Sequence, residues 1–367
     1  MLVLAVPAAA AHLPILASQD IGPAYSPDGT HVAYTVIVNG QGRVFELDVV
    51  DAGTKRVKRI ATNAGALSPT WSSDGRIAYS SGGLLYTANA DGSGKRRYVA
   101  PTKAYAPAWR PHSDQLAYLT SHGATNLDLW VAGTLRAKAA IGKPAWSPDG
   151  TKLAFQRDGA IWVTTGPGAE TKLATTNIEP GSPVWSPDGK NVAYAVAGRV
   201  YVVPGDGSAA PKQVAGPFQD VGPLDWAPPS DTLAYTVRDG VELSVNEPTW
   251  HSRLLVTGAG NGVSFNPQNS HGDVLAYSAP IPGCPGHLGI RIYDDRVIAG
   301  SCTILGTAGA DVIEGTQSWG DVILAGAGND KIHAGDRHTD HIDCGPGRDE
   351  VWADKVDKLS HCEIVHR

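Results

Sequence analysis

No window of this chain carries a sustained helical period, and no apolar run approaches the ~20 residues that a membrane-spanning helix needs. Cysteine is absent before Cys284, and no Cys-x-x-Cys pair occurs, so zinc and dithiol redox chemistry are poor readings. There is no Gly-x-Ser-x-Gly, which removes the nucleophile elbow of an α/β hydrolase. The histidines His31, His112, His122 and His251 are scattered without metal-ligand spacing and read as surface residues. Net charge is missing too: residues 1–302 hold 24 acidic and 24 basic side chains, which gives no compositional case for nucleic acid.

What the chain has instead is 43 glycines and 26 prolines, both costly in helices and useful in turns. An almost entirely β protein with many short strands is expected. A motif centred on Trp146-Ser147-Pro148-Asp149-Gly150 returns along most of the sequence. Its opening aromatics are Tyr25, Trp71, Trp109, Trp146, Trp185, Trp226 and Phe265, at successive steps of 46, 38, 37, 39, 41 and 39. Each copy ends in an aliphatic, an alanine and an aromatic, from Val32-Ala33-Tyr34 through Leu153-Ala154-Phe155 to Leu275-Ala276-Tyr277. A period near 40 marks a repeat architecture.

Four strands fit one unit. The first ends at the aromatic, and Ser-Pro-Asp-Gly reverses the chain as a type I turn with proline at its second position and glycine at its fourth. The second carries the Ala triplet, the third includes segments such as Ile161-Trp162-Val163 and Val200-Tyr201-Val202-Val203, and the fourth, such as Thr171-Lys172-Leu173, is more polar, as edge strands are. Four short antiparallel strands per ~40 residues is the pattern of a β-propeller blade, with tryptophan and tyrosine filling the gaps between stacked sheets. The aspartates Asp28, Asp74, Asp149 and Asp188 then read as turn formers that cap their own backbone, not as catalytic carboxylates.

An aromatic followed by Ser-Pro-Asp-Gly and then by an aliphatic-Ala-aromatic triplet resembles the WD40-like repeat of TolB-type β-propellers, which also occurs in the propeller domains of prolyl-oligopeptidase-like peptidases. The resemblance covers about 280 residues and speaks for fold more than function. Copies three and six, Trp109-Arg110-Pro111-His112-Ser113-Asp114 and Trp226-Ala227-Pro228-Pro229-Ser230-Asp231, lack the turn glycine. The resemblance implies six blades, whereas the sequence supplies seven anchors. A seven-bladed propeller, alternatively a six-bladed one with a degenerate closing unit, is expected over residues 18–302.

The C-terminal segment is different. From Thr303 onward nine Asp and three Glu face three Lys and three Arg, so this segment accounts for the whole formal charge of -6. Asp311, Asp321, Asp330, Asp340 and Asp349 follow one another at steps of 10, 9, 10 and 9, each with an aliphatic two positions later. This predicts a short parallel β-roll or β-solenoid over residues 303–367, with one inward apolar residue per strand. The Gly-x-Asp turns Gly309-Ala310-Asp311, Gly328-Asn329-Asp330 and Gly347-Arg348-Asp349 recur at a constant step of 19. They should stack on one side of a two-turn coil, with the weaker Asp321 and Asp340 turns on the other. The pattern resembles the nonapeptide repeat of haemolysin-type, or RTX, calcium-binding proteins. That resemblance implies Ca²⁺ between Asp311 and Asp330 and between Asp330 and Asp349, held by aspartate and turn backbone oxygens. The alternative is a metal-free solenoid held by a disulfide, and an exposed His338–His341 pair is read as solvated.

Met1 to Ala11 is an apolar run with small residues behind it, and residues 1–17 are assigned to the remnant of a signal peptide. The cysteines form two pairs, each separated by 18 positions; Cys284 with Cys302 and Cys344 with Cys362 is the shortest of three connectivities. Together these features predict a secreted or envelope protein, monomeric, without nucleic acid or a membrane span. Its expected role is non-enzymatic, a scaffold binding a protein, peptide or glycan at the propeller end face, with Ca²⁺ as the only cofactor. The competing expectation is a hydrolase or lyase with a site at the channel mouth.

Overall fold

The computed structural model describes residues 15–16, 18–40, 42–52, 57–62, 69–122, 126–176, 178, 180–227, 232–238, 240–246, 250–257, 262–265, 267–268, 275–280, 288–292, 297–299, 303–305, 309–315, 321–335 and 337–367. All regular structure among them is β. Five sheets contain four consecutive antiparallel strands each, beginning at Thr70, Ala104, Ala140, Val184 and Val221. A sixth, of eight strands, joins the strands of residues 18–62 to those of residues 263–299 through a parallel bridge between Gln19 and Leu288. The first strand of each set contacts the first strand of the next, and Val263–Phe265 contacts Ser18–Tyr25. The sets therefore close into a ring with their first strands innermost, which is the arrangement of a β-propeller.

The repeated motif sits where its chemistry requires. All seven first strands end on the anchoring aromatic. In the turn that follows, the Ser147 carbonyl accepts a hydrogen bond from Gly150 N (2.8 Å), and Gly150 takes a φ of 68° that a side chain would strain. The Ser147 hydroxyl donates to Asp149 Oδ1 (2.5 Å) and accepts from Lys152 N (2.9 Å), closing the turn from inside. The same serine-aspartate bond recurs from Ser26 to Asp28 and from Ser186 to Asp188 (2.5 and 2.6 Å), and Ser72 pairs with Asp74. These aspartates are structural.

Packing between sheets explains the alanine. The second-strand residues Ala33, Ala78, Ala117, Ala154, Ala193, Ala234 and Ala276 are fully buried. Strand alternation sends the alanine toward one neighbouring sheet and its flanking aliphatic and aromatic toward the other. Ala154 thus shares a core with Val192, Tyr194 and Trp185 of the next sheet, and Ala193 with Leu233, Tyr235 and Trp226 of the one after. A larger side chain at Ala154 would have to displace Tyr194, and overpacking of this kind costs about 1–3 kcal/mol. Four of the anchoring indoles also reach back to the preceding set. Trp71, Trp146, Trp185 and Trp226 donate Nε1–H to the carbonyls of Ala24, Ala108, Ala145 and Val184, the residues just before the previous aromatic. Trp109 departs from this: its Nε1 is buried without a partner, and the Arg76 guanidinium lies over its ring at 5.0 Å.

The C-terminal segment is a two-sided parallel roll. Val312–Glu314, Lys331–His333, Glu350–Trp352 and Ile364–His366 form one sheet; Thr303–Leu305, Val322–Leu324, His341–Asp343 and Lys358–Ser360 form the other. The coils stack in constant register at first, Ile313 on Ile332 on Val351 and Ile323 on Ile342. These side chains make the roll's core with Ala325, Ala334 and Cys344. The Cys344–Cys362 disulfide is present, while Cys284 and Cys302 lie outside the described residues, as do residues 1–14. Ile15–Leu16 adds a short antiparallel strand against Thr303–Leu305 and so borders the roll.

Candidate functional site

Two places gather chemistry-bearing groups. In the roll, the predicted stacking holds: Asp311, Asp330 and Asp349 precede successive strands of one sheet, and Asp321 and Asp340 precede those of the other. Each carboxylate caps the coil before it. Asp330 Oδ1 accepts from Asp311 N (2.8 Å), Asp349 Oδ1 from Asp330 N (2.8 Å), and Asp340 Oδ1 from Asp321 N (2.7 Å). Sequence spacing missed the last rungs. Glu363 Oε2 accepts from Asp349 N (2.9 Å) and Asp357 Oδ1 from Asp340 N (2.9 Å), but the coil has shortened there to steps of 14 and 17, so the Asp period no longer points to them.

These ladders are buried. Asp330, Asp340 and Asp349 are at most 1% exposed, and the Oδ2 atoms of Asp330 and Asp349 are buried with no hydrogen-bond partner. Burial raises the Asp330 carboxyl above its ordinary range, and the neighbouring Asp349 and Asp311 add to this, against the opposing bond from Asp311 N. Glycine makes the close stack possible: a Cβ on Gly328 would lie 2.5 Å from the Gly309 carbonyl, and one on Gly347 would collide with the Gly328 oxygen. Asn329 ties the same turns, its Oδ1 accepting from Arg348 N (2.9 Å). Among the described residues no three His, Cys, Asp or Glu side chains converge as a metal cluster. An ion here would therefore depend on backbone oxygens as well as aspartates. His338 and His341 are exposed.

The second place is the ring interior, and motif reading passed over it. Lys143, on the strand Ala140–Trp146, donates from Nζ to the Pro69 carbonyl (3.3 Å), two sets away, while its backbone N donates to Ser182 Oγ (3.0 Å) in the next set. Asp225, on Val221–Trp226, accepts from Trp226 N through Oδ1 (3.0 Å) and from Phe265 N through Oδ2 (2.7 Å). Both side chains are half-buried, each on the inner strand of its set. Desolvation pushes Lys143 down to about 8 and Asp225 up to about 6, and their mutual attraction opposes each shift without cancelling it. A usable signal was present in the sequence: these are charged residues at inner-strand positions where other copies carry Ala, Val, Gly, Ser, Thr or Pro.

Comparison with known proteins speaks to the fold. No family model matches the chain, and no curated protein matches it. Among solved structures, a chain from the crystal structure of the mitotic checkpoint complex is similar at 14% identity and a TM-score of 0.57, covering 80% of this chain and 97% of that one. The β-propeller domain of Cps50 (Swd1) from Myceliophteria thermophila is similar at 11% identity and a TM-score of 0.53, covering 77% of this chain and 98% of that domain. At such identities the likeness carries architecture alone, and with the ring of four-stranded sheets it identifies the larger part of the chain as a β-propeller.

Proposed function

We propose that this protein is an exported, non-enzymatic binding scaffold: a seven-bladed TolB-like propeller with an RTX-like roll that takes up Ca²⁺. The blade count follows from reading the eight-stranded sheet as two four-stranded blades linked by the single bridge between Gln19 and Leu288. The Cys344–Cys362 bond, the apolar start of the sequence and the calcium reading are mutually consistent with an extracytoplasmic site of action. The partner, a protein, peptide or glycan, docks on an end face. Support for a rigid face comes from the turn end of the ring, where Arg76, Arg110 and Lys152 lie over Trp109, Trp146 and Trp185 of the following sets.

One observation carries the calcium assignment. Asp330 and Asp349 each present a buried carboxylate oxygen without a partner, in a stack whose glycines let backbone oxygens come close. Calcium is a hard ion that takes carboxylate and carbonyl oxygens, and its charge would neutralise a desolvated aspartate column. Asp311, Asp330 and Asp349 would hold it together with the turns of Gly309, Gly328 and Gly347. Titration with Ca²⁺ to about a hundredfold over a millimolar-range dissociation constant should raise stability by roughly 2.7 kcal/mol. Melting followed by circular dichroism, with magnesium and a chelator as controls, checks this. No change at saturating calcium would sink the ion-binding reading and leave a metal-free roll.

The second reading, a hydrolase or lyase at the channel mouth, is favoured by one observation, the presence of two desolvated ionisable groups, Lys143 and Asp225, on inner strands of the ring.

A further inference from the structure

The last coil of the roll is bound to the rest by different means from the coils before it. Down one face Ile313, Ile332 and Val351 are fully buried, but Val365, the next residue in register, is 42% exposed. Down the other, buried Ile323 and Ile342 give way to the half-buried Leu359. Apolar burial thus falls away where the coil shortens, and with it the main force that stacks coils. The ion pairs that remain, His361 Nδ1 to Asp343 Oδ1 (2.7 Å) and His366 Nε2 to Glu350 Oε1 (2.8 Å), lie at the surface, where such pairs add little. The covalent tie is Cys344–Cys362, from a fully buried residue of the roll core to a partly exposed one on the last coil.

That tie sits one residue from the end of the aspartate column. Glu363, next to Cys362, accepts from Asp349 N as Asp349 accepts from Asp330 N and Asp330 from Asp311 N. The Asp349 carbonyl also accepts from Ile364 N (3.0 Å), so the coil carrying Glu363 covers Asp349 on the side away from Asp330. Asp349 is fully buried while Glu363 is exposed, which makes Glu363 the solvent-side cap of the column. We propose that the Cys344–Cys362 disulfide is a redox latch on this column and that Glu363 is the positioning residue it holds. Closed, the latch keeps Glu363 on Asp349 and shuts water out of the ion position between Asp330 and Asp349. Opened, it releases the last coil; that position is lost, and the one between Asp311 and Asp330 stays. The ion half of this rests on Ca²⁺ being what the column takes up.

A dithiol opens the latch. One of its sulfurs, as thiolate, attacks Cys362 Sγ, the more accessible of the pair; the S–S bond breaks, and Cys344 leaves as a thiolate that takes up a proton. The dithiol's second sulfur then displaces Cys362, which is protonated in turn, and the reductant ends as its own disulfide, two electrons having passed to the protein. The bond closes a sequence separation of 18, and loss of such a cross-link favours the open coil by roughly a hundredfold. With Glu363 gone, water replaces it at Asp349 N and reaches the Asp349 carboxylate, so the desolvation that favours an ion there is relieved.

The test compares the full chain oxidised with the full chain reduced by dithiothreitol and alkylated. Beside it stand Cys284→Ser/Cys302→Ser, in which the reductant acts on one bond, and oxidised Glu363→Ala. Amide exchange read by mass spectrometry should show the Asp349 amide losing protection by roughly a hundredfold on reduction, while the Asp311 amide, held by Asp330, keeps its own. Calorimetric titration with Ca²⁺ should fall from two ions to one on reduction and in Glu363→Ala. The unaltered protein carries both readouts even where a variant fails to fold. Unchanged protection of the Asp349 amide on reduction would overturn the latch, and two ions bound in both redox states or in Glu363→Ala would overturn its control of the site. Absence of Ca²⁺ binding in the oxidised protein would instead sink the calcium reading and the ion half with it; exchange, which needs no metal, would then still decide whether the bond holds the cap.

Discussion

Turn aspartates serve opposite ends in the two parts of this molecule. In the propeller, Asp149 is exposed, accepts from the Ser147 hydroxyl, Thr151 N and the Thr151 hydroxyl, and is held down to about 2 by those donors. In the roll, Asp330 is buried, accepts one backbone amide, keeps a second oxygen without a partner and is pushed up by desolvation. The propeller turn completes its own hydrogen bonding locally, between Ser147 and Lys152; the roll turn depends on the next coil. Local satisfaction makes a framework element, and an oxygen left over makes a place for a ligand.

The largest effect should come from breaking the ladder. Asp349→Ala removes the acceptor for Asp330 N inside a buried stack, and a buried donor left unpaired costs about 1–3 kcal/mol before any cavity is counted. Proteolysis and urea unfolding should show loss of the roll while the propeller's β signal persists. An unchanged roll would mean that the ladder bonds contribute nothing there.

A middle-sized and more telling effect is a difference of sign. Asp330→Asn keeps an acceptor for Asp311 N and deletes a desolvated charge, so with chelator present the roll should melt at the same temperature or higher, and its calcium response should disappear. Asp149→Asn deletes a charge that three donors favour, so the propeller should lose stability, by about 0.5–1 kcal/mol given its exposure. Differential scanning calorimetry of the two variants compares the signs directly. Destabilisation of similar size in both would erase the distinction between them.

Much of this was legible in the sequence because the signals are local. The aromatics end seven inner strands, the alanines are buried, and the constant step between Asp311, Asp330 and Asp349 sets the coil. The serine of Ser-Pro-Asp-Gly was undervalued: Ser147 both donates to Asp149 and accepts from Lys152, a role that only the folded turn displays. Glu363 and Asp357 were hidden by a coil that shortens at its end. Lys143 and Asp225 belong to different repeats, and what they share, a place on an inner strand of the ring, shows only once the repeats close on one another. What the repeats share gives no sign of them, since they are the places where two repeats differ.

The smallest expected effect is the acid behaviour of the propeller turns. The Asp149 carboxyl is depressed from 3.8 to about 2, first by the Ser147 hydroxyl and then by Thr151. A group whose folded value lies below its unfolded one contributes stability that is present above the unfolded value and is lost as pH falls through the folded one. The gap between wild type and Asp149→Asn should therefore hold through mild acid and close between about 4 and about 2, because the wild-type turn then carries a neutral acid too. Urea midpoints for the two proteins across that range read it out, and screening by salt should shrink it further at so exposed a site. A gap that survived below the folded value would assign the stabilisation to the geometry of the hydrogen bonds and not to the charge, and the turn aspartates would differ from the ladder aspartates in position alone.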